Sequence, residues 1–202
     1  MKKLLVFLTL LYSVICYSQK DEDLEILAAD STWLKELIRF PLSFAPDIDY
    51  RGYEDIRFAK NWNKPESPEF FTYAFVWNVN LKSVPTTQML ESNMVLYYDG
   101  LMNVVNKDKA FDVPTTKVDF EKVKLVNNDS ALPTFKGRIQ VYDAFFTNKV
   151  ITLYATIETF YCTDQNKYML LFRISTFNFE DSVWKKLKTV KLVEGHCGIG
   201  ND

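Results

Sequence analysis

The sequence predicts an α+β fold: an antiparallel sheet with a central helix and a C-terminal helix packed on it. Three observations predict this class. Residues 71–80 alternate between two kinds of side chain with a period of two, as a strand does. Residues 85–105 instead place apolar residues along one side at the helical period. Much of the second half divides into alternating apolar segments separated by short loops, which favours hairpin-connected strands.

The first element of the chain is predicted to be a short helix over residues 30–41. Asp30 or Ser31 can cap this helix, its apolar residues fall on one side, and Pro41 ends it. The segment that follows offers one or two short strands around a turn at Arg51–Gly52.

The strand at residues 71–80 and the helix after it are the clearest elements. The large face of the strand consists of Phe71, Tyr73, Phe75, Trp77 and Val79. Small or polar residues occupy the opposite face, so the pattern predicts a sheet covered on one side only. Thr86 or Thr87 can serve as the N-cap of the helix. Its apolar stripe is formed by Leu90, Met94, Tyr97, Tyr98, Leu101 and Val105.

Four more strands and a last helix are predicted in the second half of the chain. The first of these strands, TKVDFEKVKLV, changes phase near Glu121–Lys122, which suggests a β-bulge or a break. Two strands follow in FKGRIQVYDAFF and NKVITLYATIETFYC, and a third in KYMLLFRISTFNF. The segment EDSVWKKLKTVKL is amphipathic and predicts the C-terminal helix.

The TDQN loop predicts an antiparallel hairpin between the last two strands. If this hairpin turns symmetrically about Gln165–Asn166, Cys162 pairs with Met169. Glu158 then pairs with Arg173, which predicts a cross-strand ion pair of structural character.

This order of elements resembles the fold shared by the Mog1 and PsbP proteins. The stretches that carry the resemblance are FFTYAFVWNVN, TTQMLESNMVLYYDGLM, GRIQVYDAFF…VITLYATIETF…YMLLFRISTF and VWKKLKTVKL. The match is a pattern of elements over most of the mature chain, so no functional residue of the family carries over. Domains of that kind mostly act as docking or assembly modules, and the resemblance implies such a role. A cystatin-like or NTF2-like sheet is the alternative fold.

The N-terminus predicts export. Residues 1–18 contain two lysines, a short apolar run and a small residue at Ser18, which is the order of a cleavable signal peptide. The apolar run is shorter than the roughly 20 residues that span a bilayer. Lipidation at Cys16 is the competing interpretation, but Ile15 is bulky where such a site needs a small residue. We therefore expect a periplasmic or extracellular protein with no integral membrane segment after cleavage.

The mature chain is predicted to have a flexible acidic lead-in over residues 19–30 and a single α+β domain over residues 31–202. The formal net charge of the full chain is −2. Removal of the signal peptide takes away two lysines and no acid, so the mature chain is more acidic still. This mild, dispersed negative charge excludes electrostatic binding to nucleic acid.

The cysteine count predicts a disulfide. The chain has three cysteines, but loss of the signal peptide leaves Cys162 and Cys197, which would pair in an oxidising compartment. The only histidine, His196, is not placed as the base of a Cys197 nucleophile, because neighbouring residues of an extended segment point in different directions. A zinc site would have to combine these three residues with Asp202, without the paired spacing of known sites. We expect no cofactor, no metal and no catalytic cysteine.

Two sets of residues are the candidate functional sites. Tyr50, Tyr53 and Trp62 fall in polar, loop-like surroundings, where exposed rings could stack on a sugar or dock a protein. Carboxylates near aromatic or glycine residues could form a glycosidase-type acid pair. These carboxylates are Glu54, Asp55, Asp99 and Asp143.

Together these features favour an exported, non-enzymatic binding or assembly module of a bacterial cell envelope, with a protein or glycan partner. A protein that plugs a partner enzyme has the same residue pattern. The alternative is a secreted, glycan-active hydrolase that uses paired carboxylates. A deep pocket with two carboxyl groups about 5–10 Å apart would favour the hydrolase. An aromatic patch without convergent polar groups would favour binding.

Overall fold

A computed structural model describes residues 24–108, 111–123 and 132–198 of the chain. The predicted signal peptide and the first part of the lead-in, residues 19–23, lie outside these residues. The elements are β1 (Leu27–Ala28), β2 (Leu34–Phe40), β3 (Gly52–Phe58), β4 (Tyr73–Leu81), α1 (Thr87–Asn106), β5 (Lys117–Val123), β6 (Thr134–Asp143), β7 (Lys149–Cys162), β8 (Lys167–Ser175), α2 (Val183–Leu187) and β9 (Lys191–Leu192).

The seven long strands form one antiparallel sheet in the order β2-β3-β4-β8-β7-β6-β5. Two meanders, β2 to β4 and β5 to β8, meet where β4 pairs with β8, and α1 connects them. The predicted antiparallel sheet is confirmed, and Thr86 caps α1 by accepting a hydrogen bond from the Met89 N–H. The helices contribute less than the sequence predicts, because α2 has only 5 residues.

Both faces of the sheet are covered at its centre, so the prediction of a one-sided sheet is wrong. The aromatic face of β4 packs against α1 and also against the 40–50 segment, which the sequence does not predict as a cover. The opposite face of β4 presents Ala74 and Val76, which are fully buried in a second apolar cluster. Trp33 and Trp184 belong to that cluster and supply bulk that the small strand residues lack. Small side chains on this face therefore mark close packing rather than exposure to water.

The helix predicted over residues 30–41 is also wrong, because this segment contains the edge strand β2. All seven β2 residues pair in register with β3, from Leu34 opposite Phe58 to Phe40 opposite Gly52. An isolated helix of this length is marginally stable in water. Hydrogen bonding to the neighbouring strand β3 therefore outweighs the weak intrinsic helical preference of the segment.

Residues 26–28, predicted to be part of a loose lead-in, are held on the sheet. The N–H groups of Ile26 and Leu27 both donate to Asp55 Oδ2, at 2.8 and 2.9 Å. Arg57 Nη2 donates to the Leu27 carbonyl at 2.8 Å, and β1 pairs with β9. Asp55 and Arg57 also form a buried ion pair with each other. These bonds to a buried charge pair fix the segment in a way that its composition does not indicate.

The β7–β8 hairpin forms with a register different from the predicted one. Cys162 lies opposite Lys167, a shift of two residues that keeps every side chain on its predicted face. Glu158 and Arg173 become diagonal neighbours and still form the predicted ion pair, at 2.6 Å. The bulge or break predicted at Glu121–Lys122 is absent from the described part of β5, which pairs continuously with β6.

The predicted disulfide between Cys162 and Cys197 is confirmed, with the two Cα atoms 4.6 Å apart. It ties the end of β7 to the segment after β9 and closes a loop of 35 residues. Both cysteines are buried in the second apolar cluster. The bond therefore holds the C-terminal segment against the sheet.

Replacement of both Cys162 and Cys197 by Ser is expected to lower the free energy of unfolding by about 3–4 kcal/mol, because the unfolded chain loses a cross-link over this loop. Urea denaturation of the oxidised protein and of the double variant measures the difference. The same loss is expected when the unmodified protein is reduced. Two alkylatable thiols in the non-reduced protein would contradict the bond.

The helix α1 lies unusually close to the 40–50 segment at Gly100. A Cβ atom at this position would stand 1.9 Å from the carbonyl oxygen of Phe44, which is backbone and cannot rotate away. Glycine is thus required here by close packing, although it lowers the intrinsic helical preference.

Gly100→Ala is expected to lower the free energy of unfolding by about 1–3 kcal/mol through overpacking. Helix propensity alone predicts the opposite sign, a gain of about 1 kcal/mol. Ser92→Ala, at an exposed α1 position, is the matched control and should be neutral or slightly stabilising. Thermal unfolding of both variants tests the close contact, and a stabilised Gly100→Ala protein would contradict it.

Candidate functional site

An apolar cavity of about 530 Å³ lies between α1, the strands β2 and β3, and three loops. Its deep part is lined by buried side chains, namely Ile56, Phe71, Tyr73, Tyr97, Tyr98 and Met102. This volume falls within the roughly 300–1,000 Å³ of small-molecule sites, which are mostly apolar and aromatic. We call it the aromatic cavity.

The tyrosine hydroxyls of the aromatic cavity are already bonded within the protein. Tyr73 and Tyr98 share a hydrogen bond of 2.6 Å, and the Tyr97 hydroxyl donates to Glu54 Oε1 at 2.9 Å. Burial raises the pKa of Tyr73 and Tyr97 well above the usual value, so both phenols stay neutral. The deep part of the cavity therefore offers ring surface rather than free polar groups.

The polar lining residues of the aromatic cavity are on exposed parts of the chain. Glu36, Arg39 and Ser43 are exposed and come from β2 and the loop after it. Phe145, at 40% exposure, adds an apolar side chain to this outer part. The cavity thus combines an apolar interior with a rim that carries both signs of charge.

Glu54 lies next to the aromatic cavity without lining it, and its carboxyl group has a raised pKa. It is fully buried under Tyr97, and its second oxygen accepts a hydrogen bond from Trp77 Nε1 at 2.6 Å. Burial raises the pKa of Glu54 to about 7, and the hydrogen bonds from Trp77 and Tyr97 oppose this rise. The nearby charge of Glu36 raises the pKa further. Near neutral pH, Glu54 is therefore poised between its neutral and ionised forms.

Glu36 and Glu54 lie on the same face of the neighbouring strands β2 and β3. Glu36 pairs with Ile56, and Glu54 pairs with Ile38, so the two acids are diagonal neighbours. Such positions are about 7–8 Å apart. Both oxygens of Glu54 nevertheless accept hydrogen bonds from core side chains, one from Trp77 and one from Tyr97, which itself lines the cavity.

The three aromatic residues predicted as a possible surface lie in three different places. Trp62 lines the aromatic cavity and stacks on Phe58. Tyr50 packs at the edge of the main core, where its hydroxyl accepts a hydrogen bond from Asn93. Tyr53 lines a second cavity near the start of β3. They do not form one patch, because Tyr50 packs against the cluster under α1 and Tyr53 packs against the cluster on the other face of the sheet.

The carboxylates predicted as an acid pair do not converge. Asp55 neighbours Glu54 on β3 and therefore faces the other side of the sheet, where it binds Arg57. Asp99 accepts a hydrogen bond from the Thr116 N–H. Asp143 is fully buried and accepts bonds from the backbone of the turn after β6. Each of these three carboxylates holds local structure.

Cys162 and Cys197, the cysteines considered as metal ligands, are joined in the disulfide, so neither offers a thiolate to a metal. Asp202, the fourth candidate, lies outside the described residues. In the part of the chain that the structure describes, no three His, Cys, Asp or Glu side chains gather as a metal site would require. Across the same ranges, no helix has the length and apolar character to cross a bilayer.

Sequence reasoning missed the cavity itself. Tyr97 and Tyr98 belong to the apolar stripe of α1, which by itself indicates only a core-facing helix. Glu36 falls in the helix that the sequence predicts over residues 30–41, so the sequence does not place it on a strand beside Glu54. The one available signal is Glu54, an acid between aromatic and apolar residues of β3.

No family model, curated protein or solved structure matches this chain. The geometry of its own side chains therefore carries the functional argument.

The raised pKa of Glu54 predicts a loss of stability as pH rises. The unfolded chain releases this proton near pH 4.5, whereas the folded protein holds it until about pH 7. Protonated Glu54 makes its full contribution to the free energy of unfolding below pH 4.5. This contribution falls by about 3 kcal/mol between pH 4.5 and about pH 7. Glu54→Gln mimics the protonated form and should remove this part of the pH dependence.

Urea unfolding of both proteins from pH 4 to pH 8 measures the effect, and the difference between them isolates Glu54 from other titrating groups. The variant should gain stability over the original protein as pH rises through the window. Asp99→Asn is the control, because it removes a carboxylate that is only half-buried, whereas Glu54 is fully buried. A constant difference between the original protein and Glu54→Gln would contradict the raised pKa.

Proposed function

We propose that this protein is an exported, non-enzymatic binding module of a bacterial envelope, and that its aromatic cavity binds an apolar or amphiphilic small molecule. The single observation that carries the proposal is the cavity of about 530 Å³ with a buried aromatic interior. The ligand's apolar part would occupy the interior, and a polar end would reach the exposed rim at Glu36, Arg39 and Ser43.

The interior favours an uncharged group. Its tyrosine hydroxyls are satisfied within the protein, so a buried ionic group of the ligand would lack a partner there. Apolar contact with rings instead releases ordered water and contributes about 25 cal/mol for each Å² buried. Shape and ring contact therefore determine affinity in this proposal.

Export is supported by two features. The N-terminal residues have the order of a signal peptide. The disulfide between Cys162 and Cys197 is of the kind that persists in oxidising compartments. The resemblance to Mog1 and PsbP proteins stays a prediction, and it agrees with a binding role.

The hydrolase alternative rests on Glu36 and Glu54, the acids that β2 and β3 bring near one another. A buried acid with a pKa of about 7 is suited to donate a proton. For this to happen, Tyr97 and Trp77 would have to release the carboxyl group, since they hold both of its oxygens. The closed hydrogen bonding therefore favours binding over hydrolysis.

Ile38→Trp is expected to weaken binding of an apolar probe by about tenfold or more, because the indole would fill part of the cavity. Ile38 is a half-buried lining residue of an edge strand, so the larger ring costs little core packing. The neutral fluorophore N-phenyl-1-naphthylamine is a suitable probe, and dodecanol is a competing amphiphile. Leu101→Trp, a lining substitution on α1, is the second variant.

Leu34→Trp is the matched control, since Leu34 lies on the same strand, is 52% exposed and does not line the cavity. It should bind the probe as the original protein does. Equal probe affinity in all four proteins would place binding elsewhere and overturn the proposal. Release of sugars from envelope polysaccharide that Glu36→Gln and Glu54→Gln both abolish would establish the hydrolase instead.

A further inference from the structure

We propose that a second cavity of the protein binds a small oxyanion of the phosphate or sulfate type. This cavity, which we call the basic cavity, has a volume of about 420 Å³. It lies where the start of β3, the end of β4 and the β7–β8 turn meet the segment that carries His196. The proposal is independent of the function of the aromatic cavity.

The lining of the basic cavity carries positive charge without a counter-charge. Arg51, Lys82, Lys167 and His196 line it, and none of its lining residues is an acid. No ion pair joins any of these four side chains to an acid within the described ranges. Three of the four side chains, those of Arg51, Lys82 and Lys167, are basic groups in a protein whose formal net charge is −2. Such a concave, single-sign lining attracts and concentrates ions of the opposite charge.

The basic side chains are close enough to oppose each other's charge. Burial lowers the pKa of Lys167, and the charge of Lys82 lowers it further. Burial likewise lowers the pKa of His196, and the charge of Lys167 adds to this effect. An oxyanion among these groups would relieve the repulsion and replace the water that they lose on burial.

Two polar atoms of the lining have no partner in the described structure. They are Asn78 Oδ1 and His196 Nε2, and Asn78 is only 4% exposed. Asn78 Nδ2 donates to the Tyr53 hydroxyl at 2.7 Å. Because Tyr53 can also donate, rotation of the amide by half a turn keeps this bond and places an N–H where Oδ1 now lies. Buried polar groups without partners are costly, so a ligand or water that bonds to these two atoms would stabilise the protein.

The backbone positions the cationic side chains. Asn80 Oδ1 accepts a hydrogen bond from the Arg51 N–H at 2.8 Å, which fixes the entry into β3. Gly52, with φ +136°, allows the strands to approach, since a Cβ there would lie 2.2 Å from the Asn78 carbonyl oxygen. Lys82 Nζ donates to two carbonyls of the β7–β8 turn and keeps one N–H for a ligand.

The donor set fits a dianion with several oxygens. A planar guanidinium, two amino groups and an imidazole line the cavity from different elements, and each of them can donate a hydrogen bond. Free phosphate or sulfate and an ester of either on a larger molecule share this chemistry. A monocarboxylate such as acetate offers less charge and fewer oxygens.

The test measures binding of inorganic phosphate, inorganic sulfate, phenyl phosphate and acetate to the purified protein by calorimetry at constant ionic strength. Phosphate or sulfate should bind, acetate should bind at least about tenfold more weakly, and added NaCl should weaken binding by screening. Tighter binding of phenyl phosphate than of inorganic phosphate would identify an ester as the ligand source. The reverse order would identify the free ion.

Arg51→Gln and Lys167→Gln should each weaken phosphate binding by about tenfold or more, because each removes a charge-assisted hydrogen bond. Lys188→Gln, at an exposed lysine outside the cavity, removes the same charge and should leave binding unchanged. Without ligand, Lys167→Gln should unfold at the same or a higher temperature, since it removes a charge repelled by Lys82. This readout separates loss of the site from loss of the fold.

Asp21, Glu22 and Asp23 precede Leu24, a lining residue, and could compete with an added anion. The triple variant Asp21→Asn, Glu22→Gln and Asp23→Asn removes these three charges and therefore controls for such competition. Phosphate binding in either the original protein or this variant, lost on Lys167→Gln, supports the site. Absence of binding in both proteins, or equal loss in Lys188→Gln, overturns it.

Discussion

The pairing of β4 with β8 is the constraint on which the rest of the structure depends. The two strands are distant in sequence, yet Phe75 lies opposite Phe172, and their rings stack with centroids 4.4 Å apart. This pair joins the two meanders into one sheet with a covered face on each side. Its register shifts between Trp77 and Leu81, and the basic cavity lies at that irregular end of β4. The pairing of β4 with β8 therefore positions the two covered faces of the sheet. It also positions the basic cavity, where the end of β4 meets the β7–β8 turn and the C-terminal segment.

Glu54 connects this core to the aromatic cavity. Its carboxyl group receives hydrogen bonds from Trp77 on the central strand β4 and from Tyr97 on α1. A buried acid with two aromatic donors holds the helix in a fixed orientation to the sheet, although its burial is costly when it ionises. The same bond occupies the hydroxyl of Tyr97, a lining residue of the cavity. The hydrogen bond between Tyr97 and Glu54 therefore joins a titrating group to a residue that lines the apolar interior.

The sequence predicts the parts of this fold that repeat a simple period. The alternation in β4, the stripe of α1 with its Thr86 cap, the β7–β8 hairpin and the disulfide all follow from local pattern or cysteine arithmetic. Tertiary contacts determine what the pattern missed. The strand β2 forms because β3 offers hydrogen bonds to it, and residues 26–28 are ordered by Asp55 and Arg57. Cavities arise where several elements fail to fill space, and no single segment encodes them. Trp62 and Tyr53 were identified by their surroundings, but their assignment to separate cavities required the sheet.

The central claim is that the aromatic cavity accepts an apolar ligand, and methyl NMR tests it most directly. Met102 lines the cavity, whereas Met169 lies in the cluster on the other face of the sheet. In protein labelled with ¹³C at the methionine methyl groups, added dodecanol should shift the Met102 signal in a saturable manner and leave Met169 unchanged. A shift of Met169 alone, or no saturable shift of Met102 at ligand solubility, would contradict the account.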